Sequence, residues 1–322
     1  MGMLLSRKME TCLLVGCGVY FCFYLYFKLR KGKCKSKKTL EGKTVIITGA
    51  NTGIGFEIAL HLARRNGRII LACRNSEKGE AARSRIVQLS GNSNVVFRLV
   101  DVSMMSSVRA FVDVIKREEK KVDILINNAG VVTLEKILTE EGLELTFATN
   151  HFGPFLLTTL LMDLLKKSKG RVVNVGSAAS VIGTVDCDNL RAEKNFSSLQ
   201  YHNSKTANLL FTKELARRET DVLISCVHPG TVRTDVFRHM PLPVRIIIST
   251  VFRVLTKSPT EGAQPVLFCA LDDSVQTGGY YMDCRLYDHT MWVPKSAYDE
   301  GLAKKLWETT EKIVAECGSK IQ

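Results

Sequence analysis

Tyr201 and Lys205 stand four positions apart in a stretch of helical character, 199–219, and so share one helix face. A tyrosine with its ordinary pKa near 10 is a poor base at neutrality. An ammonium beside it stabilises the tyrosinate, which predicts a lowered pKa for Tyr201. Such a phenol can exchange a proton with an alcohol or carbonyl oxygen. Ser177, at the end of an apolar run, can hydrogen-bond the same oxygen. A tyrosine and a lysine at this spacing also occur on solvent-facing helices. The pair gains weight only from what accompanies it.

What accompanies it is a glycine-rich turn: Thr48, Gly49, Ala50, Asn51, Thr52, Gly53, Ile54, Gly55. It follows the apolar run Val45-Ile46-Ile47 and opens an amphipathic stretch, the strand–turn–helix setting of a dinucleotide loop. Gly49 suits the turn, Gly53 lets a pyrophosphate approach the backbone, and Gly55 allows close helix–strand packing. Free N–H groups at the helix start then face the phosphates. The second strand ends at Arg74, with Lys78 following. An acid there would hold the ribose 2′-hydroxyl of NAD; a cation suits the 2′-phosphate of NADP. The third strand ends in Asp101-Val102, placed to meet an adenine edge. The fourth ends in Asn127-Asn128-Ala129-Gly130, where Asn128 and its neighbour can tie strands together.

Stepping along the chain, strands are expected at 44–48, 68–73, 95–100, 124–127, 171–177, 222–227 and 279–282. Helices alternate with them at 53–66, 77–89, from Ser103 or Ser106 to 118, from Thr139 to 167 with a bend at Gly153-Pro154, at 199–219, after Thr260, and at 297–316. The alternation predicts an α/β fold: a doubly wound, mostly parallel seven-stranded sheet covered on both faces. In such sheets ligands lie at the carboxyl ends of strands, and Arg74, Asp101, Asn128 and Ser177 each fall at one. The irregular pieces are 183–198 and 235–258.

The net charge of +13 invites a nucleic-acid reading, but nine Lys/Arg and a single acid, Glu10, fall in the first 38 residues. No aromatic and basic interleaving of a nucleic-acid platform is present. A membrane surface is the better partner. Residues 11–27 are uncharged and mostly apolar; as a helix they would measure about 26 Å, near the lower limit for a span. Two basic residues precede the run and seven follow it to Lys38, which predicts a cytoplasmic domain after the anchor. A hairpin or interfacial anchor is the alternative; no convincing cleavage site supports a signal peptide. Met1-Gly2 to Ser6 fits a myristoylation pattern, and Cys34 is a candidate for palmitoylation. The chain therefore divides into an anchor and basic segment, 1–38, and a catalytic domain, 39–322. Ten cysteines without CxxC pairs and six histidines without ligand spacing predict a reducing compartment and no metal.

T-G-A-N-T-G-I-G, D-V at 101–102, N-N-A-G, Asn150, Ser177, Tyr201-x-x-x-Lys205 and Pro229-Gly230-x-x-x-Thr234 together resemble the short-chain dehydrogenase/reductase family. The resemblance implies that Lys205 also binds the nicotinamide ribose, that Asn150 holds a water in a proton relay, and that the loop reaching Thr234 contacts the nicotinamide and pyrophosphate. A-C-R-N-x-x-K-G, N-H-F-G-P-F-L-L-T and H-P-G-T-V-R-T are similar to the membrane-bound, NADP-dependent retinol dehydrogenases. That branch implies retinol or retinal as substrate and an intracellular membrane such as the endoplasmic reticulum. Gly176 departs from it, where a second serine is common. Residues 233–258 are expected to form an apolar substrate lid at the bilayer interface or, alternatively, core packing. Another lipophilic carbonyl, a steroid or fatty aldehyde, is the rival substrate. A catalytically idle cofactor-binding scaffold is the rival class. Oligomeric state stays open.

Overall fold

The computed structural model describes residues 31–232, 256–289 and 291–319. The apolar run 11–27, Thr234 and most of the expected lid lie outside the described residues. Among the described residues no helix is long and apolar enough to cross a membrane.

Seven parallel strands form the sheet: β1 (Thr44–Thr48), β2 (Arg68–Cys73), β3 (Val95–Leu99), β4 (Ile124–Asn127), β5 (Arg171–Val175), β6 (Leu223–His228) and β7 (Gly279–Met282). An eighth, β8 (Arg285–Leu286), pairs antiparallel with β7, giving the order β3-β2-β1-β4-β5-β6-β7-β8. The expected seven-stranded sheet is thus one strand short. Two residues carry no periodicity. The signal for β8 is instead its turn, in which Asp283 and Cys284 both have positive φ, +51° and +58°. That is the backbone of a two-residue hairpin.

Strand residues alternate between two cores. Ile46, Ile70, Leu125, Val172 and Ile224 face one helical layer. It is built from α3 (Met105–Glu118), α4 (Gly153–Leu160), α5 (Met162–Lys167), α6 (Gln200–Arg218) and α8 (Glu300–Ser319). Val45, Ile47, Ile69, Leu71, Ile126 and Val173 face the other, built from α1 (Gly53–Ala63), α2 (Ser76–Ser90) and α7 (Pro259–Leu271). Both faces of the sheet are covered, which is why the strands are apolar almost without interruption.

Helix starts depart from expectation because distant or unexpected side chains cap them. Neither Ser103 nor Ser106 caps α3. The Glu141 carboxylate, from a loop 35 residues on, accepts from the Met105 and Ser106 amides at 2.6 and 2.9 Å. Thr139 holds a turn with Leu143, and the following helical stretch, Leu145–Phe147, starts on the buried Glu144 carboxylate, which accepts from Thr146 and Phe147. The expected bend is a π turn, Ala148–Phe152, just before Gly153-Pro154, with a second break at Leu161.

His151 lies on that π turn among Phe152, Phe155 and Phe211, and its Nε2 meets the Thr310 hydroxyl at 2.9 Å. Burial pushes its pKa down to about 4. An unfolded chain takes up this proton below about pH 6.5, whereas the fold resists it until about pH 4. Stability therefore falls as pH drops through that window, by on the order of 3 kcal/mol from His151. Denaturant melts of wild type and His151→Gln between pH 7 and 4.5 are expected to show a shallower acid loss in the variant. Parallel pH slopes would refute the assignment.

Candidate active site

At the carboxyl end of β1 the chain turns through Gly49, φ +65°, and reaches α1 through Gly53, φ +59°. Both values favour glycine. Gly55 is buried against the turn: a Cβ there would overlap the Gly49 carbonyl oxygen and lie 2.6 Å from Asn128 Nδ2. Thr52 occupies the N-cap with no side-chain hydrogen bond, so the first amides of α1 are not consumed by a capping side chain. Ala50 is buried beneath the loop, while Asn51 and Ile54 are half-exposed. This is a cradle suited to an anionic phosphate group. Thr48 and Asn128 hold it shut from below. Asn128 Nδ2 donates to the Thr48 carbonyl at 2.8 Å, and the Thr48 hydroxyl accepts from the Asn128 and Ala129 amides at 2.9 and 3.0 Å. Asn127 ties β4 to β5 through Asn174 at 2.8 Å.

The neighbouring strand ends line up along the same edge. Arg74 and Lys78 are exposed beyond β2, with Asn75 between them capping α2 through the Lys78 amide. Asp101 holds its turn by accepting from the Ser103 amide and hydroxyl at 2.9 and 2.6 Å. Val102 is buried, and its carbonyl packs so tightly on Gly153 that a Cβ there would overlap it.

The Ser177 hydroxyl, which accepts from the Ala179 amide at 3.1 Å, lies beside the Tyr201 phenol, near enough to act on its pKa. Lys205, almost fully buried, lies with Nζ 5.8 Å from the Tyr201 ring centre and donates to the Val175 carbonyl at 2.7 Å. Desolvation lowers the Lys205 pKa to about 8. Here the expected lowering of the Tyr201 pKa fails. Burial raises it, and the Ser177 hydroxyl opposes the rise only in part. The ammonium is turned to a carbonyl rather than to the phenol oxygen, so desolvation wins. Tyr201 is therefore a neutral acid at pH 7, holding a proton that it can give.

Asn150 sits on the π turn, a feature frequent at functional sites. Its Oδ1 accepts from the Val131 amide at 2.9 Å. Its Nδ2 donates to the Val131 carbonyl and to the Ser204 hydroxyl, both at 3.0 Å. Both amide hydrogens are thus used, so a relay water would meet Asn150 at an oxygen. Ser204 was not singled out from sequence. Its hydroxyl donates to the Tyr201 carbonyl at 2.7 Å, linking Asn150 to the first turn of α6. Its place three residues after Tyr201 was the available signal. Gly176 has a local reason too: a Cβ there would lie 2.6 Å from the sulfur of Cys226, buried in β6. Among the described residues no three His, Cys, Asp or Glu side chains form a metal-binding group.

The sequence profile of short chain dehydrogenases matches residues 43–242. Human retinol dehydrogenase 11 is 42% identical over 288 residues, covering 88% of this chain and 89% of its own. The chain is a short-chain dehydrogenase/reductase. Human retinol dehydrogenase 13 is 43% identical over 293 residues, covering 88% of each chain. A solved structure of an uncharacterized protein from Mycobacterium Paratuberculosis superposes with a TM-score of 0.70 at 32% identity, covering 86% of this chain and 95% of that one. Membership in the short-chain dehydrogenases/reductases makes the chain an oxidoreductase that uses a nicotinamide cofactor.

Proposed function

We propose that this oxidoreductase interconverts a lipophilic alcohol and its aldehyde or ketone with NADP(H), retinol and retinal being the favoured pair. The observation that carries the reading is the gathering of Ser177, Tyr201 and Lys205 at the carboxyl edge beside the glycine cradle, with Lys205 Nζ 5.8 Å from the Tyr201 ring centre. The cradle fits a dinucleotide, with Gly49 and Gly53 at positive φ and an uncapped helix start. Thr48, Gly49, Ala50, Asn51, Thr52, Gly53, Ile54 and Gly55 would hold its pyrophosphate. Asp101 and Val102 would flank the adenine, and Asn128, Lys205 and Thr234 would lie toward the nicotinamide. When bound, the cofactor supplies or accepts hydride. In reduction, Ser177 orients the carbonyl oxygen and Tyr201 gives it a proton, as its raised pKa suits. Lys205 keeps positive charge near the emerging tyrosinate. Asn150 fixes the π turn against α6 through Ser204.

The relatives named as retinol dehydrogenases support the substrate class. In this reading residues 1–38 anchor the domain, 39–322, to the endoplasmic reticulum or another intracellular membrane, with the domain facing the cytoplasm. Side-by-side kinetics on retinal, a ketosteroid and nonanal with NADPH test the substrate. Preference for either of the last two overturns retinal, and turnover of none revives the idle scaffold.

Arg74 carries the choice of NADP. A charge-assisted contact to the 2′-phosphate is worth about 1.5–3 kcal/mol. Arg74→Ala is therefore expected to cut the preference for NADPH over NADH by roughly 10–100-fold. An unchanged ratio of kcat/KM values removes Arg74 from the cofactor site.

A further inference from the structure

Residues 31–38, part of the basic segment, do not hang free of the domain. Lys31 pairs with Glu261 at the start of α7, at 2.8 Å. The Cys34 amide donates to Gln264 at 3.2 Å, and Lys38 pairs with Asp273 just past the end of that helix. Arg65 donates to the Ser36 and Lys38 carbonyls at 2.6 and 2.9 Å. Gly32 packs on Asp283 so closely that a Cβ would overlap its backbone. The segment thus runs along α7 from its first turn to its last. Ten helical steps from Glu261 to Leu271 rise about 15 Å, two further residues lead to Asp273, and seven linking residues reach at most about 25 Å, so the segment has little slack.

Its direction matters. β1 starts at the amino edge of the sheet, yet Gly32 meets Asp283 just beyond the carboxyl end of β7. The segment carries the chain from one edge to the other. Whatever precedes Lys31 attaches at the edge that bears Ser177, Tyr201 and the glycine cradle. Burial along it alternates: Gly32, Cys34 and Ser36 are half-buried against the domain, while Lys33, Lys35 and Lys37 are exposed.

We propose that residues 31–38 are a strap that docks the α7 flank of the domain on an anionic bilayer surface, with Lys33, Lys35 and Lys37 facing lipid headgroups and the catalytic edge at the end of the strap nearest the uncharged run. The proposal rests on the membrane-anchored reading above and gives that reading an orientation. The uncharged run 11–27 ends four residues before Lys31. A bilayer holding that run lies within about 14 Å of Lys31 along the chain, one to two Debye lengths of about 8–10 Å. Each lysine near an anionic surface adds roughly fivefold in affinity, so three act strongly together. The catalytic edge would then lie beside the bilayer, within reach of a lipophilic substrate held there.

The test uses the full chain in nanodiscs of phosphatidylcholine alone or with one quarter phosphatidylserine. Trypsin cleavage after Lys33, Lys35 and Lys37, followed by mass spectrometry, is expected to slow at least tenfold in the anionic discs. Equal rates overturn the proposal, and equal protection by inorganic phosphate at matched ionic strength overturns the bilayer assignment. With Lys33, Lys35 and Lys37 all changed to Gln, KM for bilayer-held retinal is expected to rise at least threefold in anionic discs. The kcat on a water-soluble aromatic aldehyde should stay within twofold of wild type. A wild-type KM for retinal in the triple variant overturns the docking. If the wild type turns over neither aldehyde, the substrate reading fails, while the cleavage rates still decide the strap.

Discussion

Tyr201→Phe is expected to lower kcat/KM for carbonyl reduction by roughly 10²–10⁴-fold while leaving cofactor affinity within a few-fold of wild type. The variant keeps the ring, and so keeps the packing beside His202, whose ring lies 5.9 Å away edge-on. It removes only the hydroxyl beside Ser177. Developing negative charge on the substrate oxygen then has no proton donor. Ser177 is left to stabilise it with a hydrogen bond, worth much less than a transferred proton. A thousandfold loss corresponds to about 4 kcal/mol of transition-state stabilisation. Lys205 does not substitute, because its Nζ is engaged by the Val175 carbonyl at 2.7 Å. Single-turnover kinetics with saturating NADPH separate this loss from weakened binding, which titration calorimetry reads directly. Turnover near the wild-type rate with cofactor bound would end the acid–base role.

The residues that form this edge were legible because their chemistry and their position in the alternation agree. The glycine loop, Arg74, Asp101, Asn128 and Ser177 each follow an apolar run, and a parallel sheet gathers the ends of such runs on one side. The two cores were legible for the same reason, since buried strands of this class are apolar on both faces. What stayed hidden was set by contacts between residues far apart in sequence. Glu141 caps α3 across a loop, and no local pattern reports that. Gly176 reads as a departure until Cys226 is seen beneath it. The Tyr201 pKa went the other way because the spacing of a lysine fixes its helix face but not the direction of its Nζ. Lys205 turned to a carbonyl, and burial then set the sign. The basic segment read as a membrane-facing cluster, with nothing in the sequence to tie it to the domain. Its period-two burial became meaningful only with α7 and the β7–β8 turn alongside it.

Gly55→Val is the second large effect, and it tests the cradle rather than the chemistry. The added carbons would overlap the Gly49 carbonyl oxygen and crowd Asn128 Nδ2 and the Ala50 Cα, at 2.6 and 3.0 Å from the Cβ position. Two of these are backbone atoms of the turn and cannot move aside as a flexible side chain would. Either α1 withdraws from β1 or the turn opens. In both cases the Asn128 bond to the Thr48 carbonyl is disturbed and the α1 amides no longer converge on one phosphate. Cofactor Kd is expected to rise by at least about 100-fold, some 3 kcal/mol, with a loss of thermal stability besides. The stability loss alone would not identify a cofactor site. Gly91 supplies the control: its φ of +72° strains any side chain, but nothing lies within 4 Å of a Cβ placed there. Gly91→Ala is expected to cost roughly 1 kcal/mol of stability through backbone strain and leave cofactor affinity alone. If calorimetry finds both variants binding NADPH as wild type does, the close packing at Gly55 serves the fold only, and the phosphate must be held elsewhere.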